Sequence, residues 1–214
     1  QRDVETLLHE SGHAFHMLSA RDEPLIEYRD APLEFAEVAS MTMELFGADY
    51  LTEFYSEEET ARAKRKLFEG IITILPWIAR IDAFQHWIYL NPKHVKEERT
   101  RYWLELDKRF GLDVDWSGYE DARAASWQRQ LHLFCYPFYY IEYGIAQLGA
   151  LQLWKQYKEN AGQAVNKYRQ ALALGGTKPL PHLFEAAGAK FDFTEETITP
   201  LMKEIEKELS HIPD

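Results

Sequence analysis

Almost nowhere in these 214 residues do apolar and polar side chains alternate as they do along a half-buried strand. Apolar residues recur instead at intervals of three and four, and prolines and glycines fall where helices begin and stop. A chain patterned this way folds as an all-α, multi-helix domain. Residues 3–19 read as a first helix, with Leu7, Leu8, Phe15 and Leu18 as the apolar positions that anchor it in a core. A break containing Pro24 follows. Pro32 then opens a second helix over 33–46, which Gly47 stops. Ser56 with Glu59 forms an S-x-x-E capping box for a long third helix reaching Leu90. That helix is expected to kink at Pro76 and, being apolar nearly all round over 71–89, to be buried there. Further helices are expected over 92–109, 119–130, 138–159, 161–174, 180–187 and 194–211. A linker at 113–118 and a flexible break at Gly175-Gly176 separate some of them. No repeat or low-complexity tract divides the chain, so it reads as a single unit.

The composition, 46% hydrophobic and 28% charged, is that of a soluble globular protein. The net charge is −11. The densest basic stretch, residues 62–66, follows Glu57, Glu58 and Glu59 and reads as a solvated helix face, which excludes a nucleic-acid partner. No apolar run of about 18 residues is present, so no membrane-spanning helix is expected. The single cysteine, Cys135, allows no disulfide within the chain and suggests a reducing, cytoplasmic home. The first residue is Gln1 rather than methionine, which is expected of a processed chain or of a piece of a longer one and leaves what lies upstream open.

The chemistry concentrates in HESGH, residues 9–13. On a helix, His9 and His13 share one face and can both reach one ion, while Glu10, one residue round, can reach a water held there. Two imidazoles holding zinc with a glutamate as base is the zinc-peptidase arrangement. Gly12, a poor helix former, invites the close approach of another backbone. The bland alternative is a chance match, with His16 pairing to His13 or Asp22 on the surface. A zinc enzyme also needs a third protein ligand and an open position. The second helix offers acids for it. Glu37, Ser40, Met41 and Glu44, joined by Glu34, form a stripe among Phe35, Val38, Ala39 and Met43. Acids on so apolar a helix are either turned inward toward a metal or exposed as an acidic stripe.

HESGHAFH, followed by AEVASMTME, resembles the oligoendopeptidase F and thimet-oligopeptidase family of zinc peptidases. The resemblance makes Glu37, in its E-V-x-S context, the third zinc ligand beside His9 and His13, and places Glu44 behind the ligands. A second match is HLFCYPFYYIEYGIAQLGALQLW, residues 132–154, where the family carries a histidine and tyrosines ahead of a long helix. It implies that His132, in the approach to that helix, and Tyr143 act on the substrate or transition state and that Tyr136 contacts substrate. Tyr139 or Tyr140 reads as core. Gly175 and Gly176 fit a glycine turn near the substrate, and FDFTEETITPLMKEIEKEL looks like the family's C-terminus.

The family's enzymes have a long N-terminal portion forming the other wall of the channel. The resemblance therefore implies that residues 1–214 are the C-terminal catalytic half, a zincin-like helical domain with its zinc site on two adjacent helices. It implies one zinc per chain, Glu10 as general base toward a water, and short unfolded peptides as substrates, with the chain's own N-terminal half as a candidate partner. No membrane partner is expected. The rival reading is an inactive fragment or non-catalytic helical module that captures peptides without cutting them. A structural metal site is disfavoured, since such sites are rich in cysteine.

Overall fold

A computed structural model describes residues 2–213 and contains no strand among them. The described residues form ten α-helices. These are α1 (Arg2–Ala20), α2 (Leu33–Gly47), α3 (Glu57–Leu90), α4 (Lys96–Phe110), α5 (Glu120–Ala125), α6 (His132–Cys135), α7 (Ile141–Glu159), α8 (Ala161–Leu172), α9 (Leu180–Ala186) and α10 (Glu195–His211). Where the periodicity suggests one unit, the chain divides into two compact ones. The first holds the residues up to Glu69 and those from Ile145 on; the second runs from Gly70 to Gly144. None of the described helices is long and apolar enough to cross a membrane.

In the first unit, α2 is the central helix. Its Phe35, Val38, Ala39 and Phe46 join Leu153 of α7, Tyr168 and Leu172 of α8, and Leu183 and Phe184 of α9 in one core. Each large side chain buried there contributes about 1.5–3 kcal/mol. The capping box at the start of α3 forms as its residues require: Glu59 accepts from the Ser56 N–H at 3.0 Å, and the Ser56 hydroxyl accepts from the Glu59 N–H at 3.3 Å. Asn160 caps α8 through the Gln163 N–H.

The first helix departs from expectation. Its buried residues are Gly12, His16 and Ala20, whereas Leu7, Phe15 and Leu18 are about half exposed. Phe15 and Leu18 instead line a cavity of about 740 Å³ with Leu8, Met43, Phe46 and Tyr157. The buried face of α1 is thus its small and polar one, because α2 lies too close for large side chains.

In the second unit, Ile81 and Phe84 of α3 pack with Trp103, Leu106 and Trp127. α3 is not buried all round over 71–89: Ile72, His86 and Tyr89 are exposed. One side of it carries a buried charge cluster. Asp107 of α4 accepts from Arg80, and from Arg123 Nε at 2.5 Å, while the Trp77 and Trp103 rings lie 4.5 and 4.3 Å from the Arg80 guanidinium. Burial, then the neighbouring Arg129 and Arg123, pulls the Arg80 pKa down to about 10. α4 begins later than residue 92, because the Glu98 carboxylate reaches back to the Val95 N–H at 3.0 Å and starts the helix at Lys96. The helix expected over 119–130 ends at Ala125 and continues as a 3-10 turn, Ser126–Arg129.

Candidate active site

The absence of a side chain at Gly12 lets α1 and α2 touch. A Cβ there would lie 2.5 Å from Ser40 Cα and 2.7 Å from the Ala39 carbonyl oxygen, far inside the about 3.5–4.0 Å of ordinary carbon contact. Beside this contact the rings of His9 and His13 stand edge to face, 5.0 Å apart. Glu37 faces them from α2. One donor atom each from His9, His13 and Glu37 lies within 4.8 Å of the others, an arrangement able to hold a metal ion.

The surroundings orient these donors. His9 Nδ1 lies 2.6 Å from Glu44 Oε1. A carboxylate accepts, so Nδ1 donates and the Nε2 lone pair is left on the side of Glu37, whose Oε2 is 3.5 Å away. The bond to Glu44 raises the His9 pKa above its ordinary value, against the opposing effect of burial. Glu37 is buried, and the Ser40 hydroxyl stands 3.1 Å from its Oε2 and 3.0 Å from its backbone oxygen. One turn beyond His13, His16 is buried rather than on the surface. Its ring meets Phe35 edge to face, and its Nε2 has no partner among the described groups. Burial first, then the proximity of His13, lowers its pKa to about 4.

Glu10 is exposed on α1 and lies close enough to His9 to help raise its pKa. Glu34 stays partly buried in the first turn of α2, outside the trio. Gly175 and Gly176 serve a close contact of their own. A Cβ on Gly175, where φ is +49°, would lie 2.3 Å from the Tyr28 oxygen, and one on Gly176 2.3 Å from the Asp30 oxygen. The Gly176 N–H donates to Tyr28 at 2.7 Å. Any larger residue would push this turn off the segment after α1.

The remaining site candidates lie in the second unit. His132 opens the short α6, and α7 starts only at Ile141. Between them Phe138 takes a φ of +62°, unusual for a bulky residue. Its ring is held against His86 and Tyr89 of α3. This turn, rather than one continuous helix, gathers Tyr136, Tyr139, Tyr140 and Tyr143 around His132, with ring centroids 5.0–6.1 Å from it. Tyr139 and Tyr140, one of which was expected in the core, are both partly buried, and Tyr140 packs against the Trp103 and Trp127 core of this unit.

Residues 1–202 match the family model described as peptidase family M3. The chain belongs to peptidase family M3. It is 30% identical over 192 residues to the oligoendopeptidase F homolog of Borreliella burgdorferi, covering 85% of this chain and 31% of that protein. It is 26% identical over 218 residues to oligopeptidase PepF of Bacillus subtilis, covering 98% and 31%. Among solved structures it resembles PZ peptidase A with inhibitor 2, at a TM-score of 0.88 and 32% identity, covering 98% of this chain and 37% of that one. The chain therefore spans about a third of the length of these relatives.

Three residues of the site make contacts that the motifs do not assign to them. Ser40 stands on the acidic stripe, and its spacing of three from Glu37 was the signal for its bond. Tyr168 donates to the Ala39 oxygen at 2.8 Å, in the contact that Gly12 allows. Gln130, two residues before His132, touches its imidazole. The Tyr168 partner Ala39 and the second Gln130 partner, Trp77, are remote in sequence, so no local pattern marks those bonds.

Proposed function

We propose that this chain is the catalytic portion of a zinc-dependent endopeptidase that hydrolyses internal bonds of short oligopeptides. The observation that carries the reading is the convergence of His9, His13 and Glu37, with His9 turned by Glu44 so that its Nε2 faces Glu37. Two nitrogens and one carboxylate suit zinc, whereas calcium and magnesium favour oxygen alone. Three protein donors also match a catalytic rather than a closed structural site. Zinc held there supplies Lewis acidity, lowering the pKa of water toward about 7 and polarising a carbonyl.

The protein's own groups do the rest. Glu10, exposed beside His9, takes the proton of the attacking water and passes it to the leaving amine. By the family resemblance, Tyr143 and His132 donate hydrogen bonds to the oxygen that becomes negative, each such donor contributing about 3 kcal/mol. Tyr136, Gly175 and Gly176 are assigned to the substrate backbone on the same ground. The rest of the polypeptide, corresponding to the N-terminal part of the relatives, is the proposed partner. A cytoplasmic location rests on the lone cysteine, Cys135, which is exposed and free.

Elemental analysis for zinc, paired with cleavage of an internally quenched peptide, tests the reading. One zinc per chain with turnover is expected, and Glu10→Gln should keep the zinc while losing nearly all turnover. A protein that binds peptide but is unchanged by Glu10→Gln would be the non-catalytic module instead.

A further inference from the structure

His132 does not meet solvent on both ring nitrogens. Its Nδ1 lies 2.7 Å from Gln130 Nε2, and Gln130 Oε1 lies 3.0 Å from Trp77 Nε1. An indole N–H can only donate. The oxygen of the Gln130 amide must therefore face Trp77, whose hydrogen the Tyr140 hydroxyl also shares, and the amide NH₂ must face the imidazole. Turned the other way, two donors would confront each other at Trp77. With the amide fixed, Nδ1 has to accept, and the proton of the neutral ring resides on Nε2.

The relay is anchored at its far end. Two guanidiniums lie over the Trp77 ring, Arg80 at 4.5 Å and Arg129 at 4.1 Å, and the ring meets Trp103 edge to face. Its N–H direction is thereby set by α3 and by the residues around the buried Asp107. On the other faces of His132 stand the rings of Tyr136, Tyr139, Tyr140 and Tyr143, while the Gln130 amide is the group placed within hydrogen-bond distance of Nδ1.

We propose that Trp77 and Gln130 are positioning residues that hold His132 as a neutral, one-directional donor, with its hydrogen on Nε2. An imidazolium would place an Nδ1–H against the amide hydrogens 2.7 Å away, so the same contact disfavours protonation. Burial lowers the His132 pKa in the same sense. In this state Nε2 presents a hydrogen to a carbonyl oxygen and cannot serve as a base. The inference deepens the proposed peptidase reading and rests on it for the donor's target, a substrate carbonyl, but the tautomer itself does not depend on it.

The test is nitrogen NMR on the full chain labelled with ¹⁵N-histidine, with long-range proton correlations that distinguish Nδ1–H from Nε2–H. The expected result at pH 7 is an Nε2–H ring for His132. Gln130→Glu should reverse this: a carboxylate accepts from both sides, so the proton moves to Nδ1 and the His132 pKa rises by about one to three units. Trp77→Phe frees the amide to turn and should give a mixture of tautomers. An Nδ1–H ring in the wild-type protein, or a tautomer unmoved in both variants, overturns the proposal. Should either variant fail to fold, the wild-type spectrum still decides. Peptide cleavage by the wild-type protein is measured alongside. Loss of the peptidase reading appears there as no turnover with the Nε2–H signal intact, whereas failure of the relay appears as turnover with an Nδ1–H ring.

Discussion

Replacing Gly12 by alanine adds one methyl group at the point where α1 meets α2, and its effect can be worked from the distances. The new carbon would sit 2.5 Å from Ser40 Cα and 2.9 Å from Ser40 N. Ordinary contact between such atoms is about 3.5–4.0 Å, and both obstacles are backbone, which no rotamer change can move. The helices must separate by about 1 Å. Across the two helices His9 Nε2 and Glu37 Oε2 already stand 3.5 Å apart, close to the separation of about 3.4 Å between donors about 2.0–2.1 Å from one tetrahedral zinc. Separating the helices carries Glu37 away from the histidines, so the methyl group opposes loading. Overpacking of this kind costs about 1–3 kcal/mol. In the metal-free protein, separation relieves much of it. In the loaded protein it returns, and about 2 kcal/mol is about thirtyfold in affinity. A zinc competition titration should therefore show Gly12→Ala weakened by that order, with a smaller shift in the urea midpoint of the metal-free protein. Wild-type zinc affinity together with wild-type stability would refute the argument, and with it the claim that glycine sets the spacing of the site.

Three further outcomes follow from other contacts. Ser40→Ala removes the hydroxyl at Glu37 and should weaken zinc about 10–100-fold in the same titration; an unchanged affinity would make Ser40 a packing residue only. His16 is neutral in the fold, with a pKa of about 4 against 6.5 when unfolded, so the unfolded chain takes up its proton first. Stability is then full above pH 6.5 and falls by about 3 kcal/mol as the pH drops toward 4. Chemical denaturation of chelator-treated protein should show this acid loss flattened in His16→Leu, and identical slopes would sink the assignment. Asp107→Ala leaves Arg80 buried without its carboxylate and should cost about 3–5 kcal/mol in unfolding free energy; a loss below about 1 kcal/mol would show that water reaches the guanidinium.

Much of the architecture is written locally, and what is not has a physical cause. Ser56 and Glu59, Pro32 and Asn160 mark helix starts because capping groups act within one turn, and those starts lie close to where the pattern puts them. The start of α4 was harder to read, since Pro92 is a stronger signal on paper than the Glu98 side chain that caps Val95. α1 misled in a more instructive way. Its apolar residues form a stripe that suggests a core face, but Gly12, His16 and Ala20, one turn apart from each other, are the face that α2 covers. Hydrophobic periodicity reports where large side chains are, not where another backbone comes close. The nearness of His9 and His13 was legible because they are four residues apart on one helix, while Glu37, which the fold brings beside them, needed the family resemblance to be chosen over Glu34 and Glu44. The tyrosine cluster was legible in membership but not in form. Its geometry depends on the positive φ at Phe138, which no proline or glycine rule anticipates.

The bond from Tyr168 to the Ala39 oxygen also orders events in time. The two residues are 129 positions apart, and at a synthesis rate of about 5–20 residues per second the second follows the first by about 6–26 s. For that interval α1 and α2 are complete, yet Phe35, Val38 and Phe46 lack the α7, α8 and α9 residues that bury them. The histidines and Glu37 are thus made early and fixed late. On the ribosome, the half-built candidate metal site is an apolar hairpin waiting for the far end of the chain.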